Sequence, residues 1–209
     1  MAKKLGKIEK PTAEQFKGER KLYLVPLLFA GEDAPTEYME KFNRYWEHVD
    51  QHIANQESKV GKVNRVYHES IALGGKDGLE VMEKLSPLSC RIAKAKCQND
   101  AILEATEQAE LANECMDWER FLLIGFLSEK VAQMVSANYR ESLKKRYEHI
   151  AHRIDETLKA NEVAILFIRE GHMVQFPQDV EVFSVAPPVL DEIHRWLRDR
   201  PSKDEKDES

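Results

Sequence analysis

Acidic, basic and aromatic side chains alternate along residues 63–71, and this stretch has the residue types that acid–base chemistry needs. Successive side chains of a strand point to opposite faces, so Arg65, Tyr67 and Glu69 share one side. A strand with this face lies either at the edge of a sheet, where charges block unwanted pairing, or along a polar cleft. One hypothesis is therefore an enzyme whose cleft is lined by the 63–71 strand and the helical segment 148–156. Its candidate catalytic residues are Arg65, Tyr67, His68, Glu69, His149 and His152.

Histidine spacing suggests a second hypothesis, metal binding. His48 and His52 are four residues apart, the separation at which two imidazoles on one helix can bind one metal ion. A metalloprotease also needs a glutamate directly after the first histidine, and Val49 stands there, so only simple metal binding remains. Further candidate ligands are His149, His152 and Glu156, although an ion-paired, solvated helix face explains these residues better.

Other motifs that would indicate catalysis are incomplete. Gly74-Gly75-Lys76 has the context of a phosphate-binding loop, but Asp77 stands where such a loop needs serine or threonine. Asp77 is better explained as the cap of a short helix over residues 78–85. The cysteines 90, 97 and 115 form no C-x-x-C pair, so the sequence gives no support for thiol redox chemistry or a zinc ribbon. We therefore predict no cofactor, and the balance favours a protein that is not an enzyme.

The elements that must position these residues follow from the apolar periodicity. Apolar runs predict four strands, near residues 22–29, 63–71, 163–168 and 180–185, and residues 102–106 fit either a strand or a helix. Apolar residues at helical spacing predict long helices over 36–60 and 128–159, a mainly helical stretch over 87–116 and a final helix from Pro188. The fold class is therefore an α/β sandwich, in which long helices cover a small mixed sheet of about four strands.

Composition and charge define the domains and exclude some partners. The chain of 209 residues carries a net charge of −6, and its first 22 residues hold seven basic and three acidic ones. We predict a flexible basic arm over 1–20, a single α/β domain over 21–200 and a disordered charged tail over 201–209. The acidic body disfavours direct nucleic-acid binding. The longest apolar runs are far below the ~20 residues of a membrane span, and with no signal peptide this favours the cytoplasm.

Residues 139–200 resemble part of a known family. A long helix leads into Leu158-Lys159-Ala160-Asn161-Glu162 and the apolar run 163–168, and a loop, the strand 180–185 and a helix from Pro188 follow. This order resembles the end of the carboxy-terminal domain of archaeal and eukaryotic class I release factors and Pelota, which have bacterial relatives. The family releases peptides with a Gly-Gly-Gln loop, whereas this chain has Gly74-Gly75-Lys76, so hydrolysis of peptidyl-tRNA is not implied. The resemblance implies an α/β sandwich that binds a protein or the translation apparatus.

The leading functional hypothesis is a non-enzymatic, cytoplasmic interaction or regulatory protein associated with translation. Its expected partner is a protein or the ribosome-associated machinery, with no membrane contact. Trp46, Trp118 and Trp196 lie on apolar helical stripes and are expected to anchor the core. Trp196 has an alternative role at the interface of a homodimer.

Overall fold

Five strands form one parallel sheet in the computed structural model, which describes residues 19–199. The strands are β1 (Arg20–Pro26), β2 (Val63–His68), β3 (Ile102–Leu103), β4 (Val163–Ile168) and β5 (Val180–Ser184), in the order β3-β2-β4-β1-β5. The four predicted strands are confirmed, and the ambiguous stretch contributes the short β3. The prediction of a mixed sheet is wrong, because every pair of neighbouring strands is parallel. Parallel strands are covered on both faces, which explains the unbroken apolar run of β4.

Six helices connect and cover the strands. They are α1 (Thr36–Val60), α2 (Gly75–Leu85), α3 (Pro87–Cys97), α4 (Ala109–Leu123), α5 (Glu129–Thr157) and α6 (Val189–Asp199). The Ser128 hydroxyl caps α5 by accepting a hydrogen bond from the Val131 amide, as a helix start requires. The predicted Asp77 cap is wrong, because α2 begins at Gly75 with Gly74 in the cap position.

The helices divide between the two faces of the sheet. Helices α1, α2, α3 and α6 cover one face, hereafter the α1 face, where Trp46 is fully buried. Helix α5 and residues 174–176 cover the other, hereafter the α5 face. Strand β1 contributes side chains to both faces, since Tyr23 packs on the α1 face and Leu22 packs on the α5 face. Right-handed crossovers explain the division, because α1 and α5 carry the chain across the sheet in opposite directions.

Arg20 corrects the predicted domain boundary. We expected it in the flexible arm, but it begins β1 and its side chain is only 10% exposed. Its guanidinium pairs with Asp155 at 2.8 Å and with Asp179 at 2.6 Å. The predictions for residues 1–18 and for the tail 201–209 lie outside the described residues.

Candidate functional site

The carboxyl ends of β2 and β4 lie side by side at one edge of the sheet. After β2 the chain turns to the α1 face, and after β4 it turns to the α5 face. In open parallel sheets, ligands bind at the carboxyl ends of two adjacent strands whose following segments lead to opposite faces of the sheet. Glu69 follows β2 and Arg169 follows β4, and the Arg169 amide donates to the Glu69 carboxylate at 2.6 Å. This edge of the sheet is therefore the candidate location of a ligand or catalytic site.

Four charged side chains form a cluster there, three of them buried, Glu69, Glu107 and Arg146, and the fourth, Arg169, partly exposed. Arg146, from α5, lies 2.5 Å from Glu107 and 3.1 Å from Glu69. The side chains of Arg146, Glu69 and Glu107 are at most 3% exposed. Burial alone would lower the pKa of Arg146, but the two carboxylates outweigh it and raise that pKa. The cluster has two cations and two anions, so it joins α5 to the sheet and holds no spare acid or base.

The predicted polar face of β2 exists, but other parts of the chain cover it. Arg65 pairs with Glu104 at 2.5 Å and with Glu162 at 3.1 Å, and the Tyr67 hydroxyl lies 2.6 Å from the Thr157 hydroxyl. Burial raises the pKa of Tyr67 above its usual range. The edge-strand interpretation is wrong, because β2 lies between β3 and β4. The polar side chains of β2 instead hold neighbouring segments on the sheet. Arg65 binds Glu104, which follows β3, and Tyr67 binds Thr157 of α5.

The candidate residues on α5 do not complete a cleft with β2. His152 is exposed and pairs with Glu156 at 3.2 Å, one turn along the same helix. Burial lowers the pKa of His149, which is only half-exposed, and Glu107 acts in the opposite direction. Of the two histidines, only His149 is therefore near a member of the charge cluster, while His68 contacts Ser89 of α3 on the α1 face.

The two histidine groups lie on opposite faces of the sheet. His48 and His52, on α1, line a cavity of about 310 Å³ together with Pro187 and Pro188. The His52 ring lies 3.3 Å from the Gln56 amide. Within residues 19–199, no group of three or more potential ligands is arranged to hold a metal ion. The structure thus separates the α1 histidines from the His149, His152 and Glu156 group that would have completed a shared site.

His68 belongs to a chain of hydrogen bonds that the sequence analysis did not anticipate. Its Nδ1 hydrogen-bonds the Glu69 carbonyl, and its Nε2 lies 3.2 Å from the Ser89 hydroxyl. The Ser89 hydroxyl lies 2.7 Å from that of Ser86. A carbonyl only accepts, so Nδ1 carries the ring proton and Nε2 is free to accept one. No sequence motif relates His68 to the Ser86-x-x-Ser89 spacing at the start of α3, so only the fold reveals the chain.

Ser86 also lines a cavity of about 410 Å³ at the same edge of the sheet. The cavity lies between the end of β1, the start of α1 and the junction of α2 with α3, and most of its walls are apolar. Its volume falls in the ~300–1,000 Å³ range of small-molecule sites. The hydrogen-bonded chain therefore runs from a concave surface to a buried imidazole.

Lowering the pH is expected to unfold the protein partly through His68. The ring is 0% exposed, and burial lowers its pKa to about 4. Because the folded-state pKa lies below the unfolded value near 6.5, His68 contributes stability that is full above pH ~6.5 and is lost as the pH falls toward 4. Between pH 7 and 4.5 this loss amounts to about 2–3 kcal/mol.

The measurement is urea unfolding at both pH values for the wild type and His68→Gln, which lacks the titrating ring. The carboxylates titrate in both proteins, so their contribution cancels in the difference. We expect a smaller acid-dependent loss of unfolding free energy in the variant. Equal losses in the two proteins would show that His68 is not buried as the neutral form.

Helices α4 and α5 pack against each other as a hairpin that exposes apolar residues at its tip. Among residues 109–123, all of them described, Cys115 alone is buried. Leu123 is 82% exposed, Ile124 is 73% exposed and Leu127 is fully exposed. Val131 and Met134 continue the apolar spacing of α5, but they are exposed, and the buried stripe begins at Val135. Trp118, expected in the core, is likewise only partly buried and donates to Glu114.

Comparison of the chain with protein-family models, with curated proteins and with solved structures finds no match. Among residues 19–199, no helix is both long and apolar enough to cross a bilayer.

Proposed function

We propose that this chain is a cytoplasmic interaction protein that docks through the tip of its α4–α5 hairpin onto the apolar surface of another protein. The exposed apolar side chains of the tip carry this proposal. They are Met116, Phe121, Leu123, Ile124, Leu127, Val131 and Met134, each at least 43% exposed. Single exposed apolar residues are ordinary, but a contiguous group of this kind is typical of an interaction surface.

The sequence of the tip contains no charge between Arg120 and Glu129. Residues 121–128 read Phe-Leu-Leu-Ile-Gly-Phe-Leu-Ser, and Gly125 has a positive φ of 71° where the chain leaves α4. Depletion of charge at the centre of a patch, with polar residues around it, is the composition of interface cores. The hairpin therefore presents an apolar centre at the end of two long helices.

The rim of the tip indicates the charge of the partner. Helix α4 carries four acidic residues, Glu110, Glu114, Asp117 and Glu119, against the base Arg120, and the start of α5 adds Glu129 and Lys130, so the hairpin around the tip is acidic on balance. A second copy of this chain would bring the same acidic helix to the interface, whereas a basic rim on a different protein complements it. We therefore infer a heterologous partner with an apolar surface surrounded by lysine or arginine.

An association with translation is consistent with this charge. Proteins that bind nucleic acid carry basic surfaces, so a protein of the ribosome-associated machinery has the required rim. The resemblance of residues 139–200 to release-factor domains supports the same class of partner. The acidic body of the chain favours contact with such a protein rather than with RNA itself.

The experiment compares partner capture by the full-length wild type with capture by the double variant Leu123→Ser/Leu127→Ser. The matched control is Leu73→Ser/Leu197→Ser, since Leu73 and Leu197 are each 51% exposed but lie away from the tip. A captured protein is then purified, and its affinity for each variant is measured directly at two salt concentrations. Loss of two central apolar contacts is expected to weaken binding by about 30-fold or more, at roughly 2 kcal/mol for a hot spot.

The proposal is supported if the partner is basic, binds the control normally and binds the tip variant weakly. It is wrong if the tip variant keeps wild-type affinity, because the apolar centre would then play no part. It is also wrong if the tip drives only self-association, seen as a dimer in sedimentation, or only binding to lipid vesicles. Since the substituted side chains are exposed, all three proteins are expected to fold alike.

A further inference from the structure

The cavity of about 410 Å³ that Ser86 lines shares no residue with the hairpin tip, so docking through the tip does not account for it. It lies beyond the carboxyl end of β1, between the loop that follows β1, the start of α1 and the corner between α2 and α3. After β1 the chain turns to the α1 face, whereas after the neighbouring β4 it turns to the α5 face. Open parallel sheets bind ligands at such a pair of strand ends, so the position favours a small-molecule site.

Hydrogen bonds within the protein hold the walls of this cavity in place. The Tyr38 hydroxyl donates to the Phe29 carbonyl oxygen at 2.8 Å, which fixes the loop after β1 against α1. On the other side, the Ser89 hydroxyl lies 2.7 Å from the Ser86 hydroxyl and 3.1 Å from the Ser86 carbonyl oxygen. This second contact fixes the corner between α2 and α3. A cavity whose walls are already ordered requires little ordering of the protein when a ligand binds.

The walls of the cavity are mainly apolar, and two of them remain partly exposed. Phe42 is only 9% exposed and belongs to the floor, whereas Phe29 is 55% exposed and Leu85 is 48% exposed, so these two stand at the mouth. The other large apolar side chains of the cavity are Leu28, Met39 and Leu88. Each methylene group that such walls remove from water contributes to binding. The shape and composition therefore fit an aliphatic chain.

The polar groups at the mouth indicate the charge of the ligand. Within residues 19–199, Glu32 is the one charged residue that lines the cavity. Its side chain is exposed and makes no ion pair with the described residues. Asn43, which is also exposed, lines the same mouth, and its amide oxygen can accept a hydrogen bond. An ammonium group offers three N–H donors and a positive charge to these oxygens, whereas a carboxylate or phosphate would be repelled by Glu32.

From this arrangement we propose that the cavity binds an aliphatic primary amine, with the alkyl chain between the apolar walls and the ammonium group at Glu32 and Asn43. The walls select the chain, and the carboxylate selects the charge of the head group. Octylamine is a probe of this class. Octanoate is its matched control, because it has a chain of the same length and a head group of opposite charge.

Calorimetric titration of the full-length protein tests the ligand class. We expect octylamine to bind at one site per chain with a Kd at or below about 1 mM, and octanoate to bind about 5-fold more weakly or worse. Shortening the amine to hexylamine is expected to weaken binding by about 2- to 4-fold for each methylene lost. Absence of saturable binding, or equal affinities for octylamine and octanoate, overturns the proposal.

Variants at the mouth separate the two sources of specificity. Glu32→Gln is expected to weaken octylamine binding by about 2- to 5-fold and to reduce the preference over octanoate, whereas Glu110→Gln, at an exposed acid of α4, changes neither. Leu85→Ser is expected to weaken the binding of octylamine, while Leu197→Ser, at a leucine of similar exposure on α6, has no effect. The four side chains are exposed, so all variants are expected to fold. A preference that Glu32→Gln leaves unchanged contradicts the assigned head-group site.

The hairpin tip is another apolar surface that attracts amphiphiles, so the position of the bound amine is measured directly. The full-length protein is illuminated with an alkylamine that carries a diazirine on its chain, and the crosslinked residues are mapped by mass spectrometry. We expect crosslinks at Leu28, Met39 or Leu88, suppressed by excess octylamine and unchanged in Leu123→Ser/Leu127→Ser. Crosslinks at residues 121–134 instead, or their loss in that double variant, overturn the cavity site and leave the proposed docking function intact.

Discussion

Arg146→Ala is expected to lower the free energy of unfolding by about 3–5 kcal/mol, the cost of breaking a buried ion pair from one side. Arg146 lies between Glu69 and Glu107, and truncation leaves Glu107 buried without its cation. Glu69 keeps Arg169, which is 37% exposed and therefore partly hydrated. The measurement is urea unfolding at neutral pH.

The control for this prediction lies on the same helix. Lys144 is 74% exposed and its ion pair with Glu148 is long, at 3.7 Å. Lys144→Ala is expected to change the stability by less than about 0.5 kcal/mol, as exposed pairs do. The double variant Glu107→Ala/Arg146→Ala should lose less than the sum of its two single variants, because the two side chains contact each other. A loss for Arg146→Ala as small as that for Lys144→Ala would contradict a buried cluster.

Gly78→Ala is expected to destabilise the protein by about 3 kcal/mol, the upper end of the usual cost of overpacking. A Cβ atom at residue 78 would lie 2.1 Å from the Leu73 carbonyl oxygen and 3.0 Å from a methyl group of Leu103. The main chain before α2 would have to move to relieve the first contact. Without this close contact, replacing glycine by alanine within a helix would raise the free energy of unfolding by about 1 kcal/mol. The sign of the effect therefore reports how closely α2 packs against Leu73 and β3.

Gly31→Ala is the matched control, since a Cβ atom there meets nothing within 4 Å. It is expected to stay within about 0.5 kcal/mol of the wild type, as surface substitutions usually do. Thermal or urea unfolding of the three proteins gives the comparison. A stabilising Gly78→Ala would mean that helix propensity outweighs the contact and that α2 lies further from Leu73.

The sheet could be predicted from sequence because its strands are short apolar runs between turn residues. The run 163–168 is too short for a buried helix and carries no charge, so its identity as a central strand follows from length and composition. Strand direction could not be read in the same way, since a mixed and a parallel sheet bury the same residues. The two-residue β3 was ambiguous because Ile102 and Leu103 fit either element.

Part of the site was visible in the sequence, and part depended on the fold. Alternation correctly placed Arg65 and Tyr67 on one face of β2, with Glu69 directly after it, but it could not show that other parts of the chain supply partners for them. Arg146 is 77 residues beyond Glu69, and nothing local in the sequence relates the two. Glu107, which completes the cluster, follows the strand that the sequence left undecided.

The helical stripe of α5 shows where periodicity fails. Val131 and Met134 continue the spacing of Val135 and Tyr147, so the pattern alone predicts burial for all four. The structure buries the last two and exposes the first two, because the first part of α5 packs against α4 and not into the core clusters of the described residues. Apolar periodicity indicates which side of a helix packs, but it does not say whether a neighbour is present.

Hydroxyl-radical footprinting of the full-length protein, alone and bound to its purified partner, tests the central claim most directly. We predict that Phe121, Leu123 and Leu127 react readily in the free monomer and become protected in the complex, while Leu73 and Leu197 react equally in both. Protection of the tip in the free monomer, or a complex that protects other surfaces and leaves the tip reactive, would contradict the account.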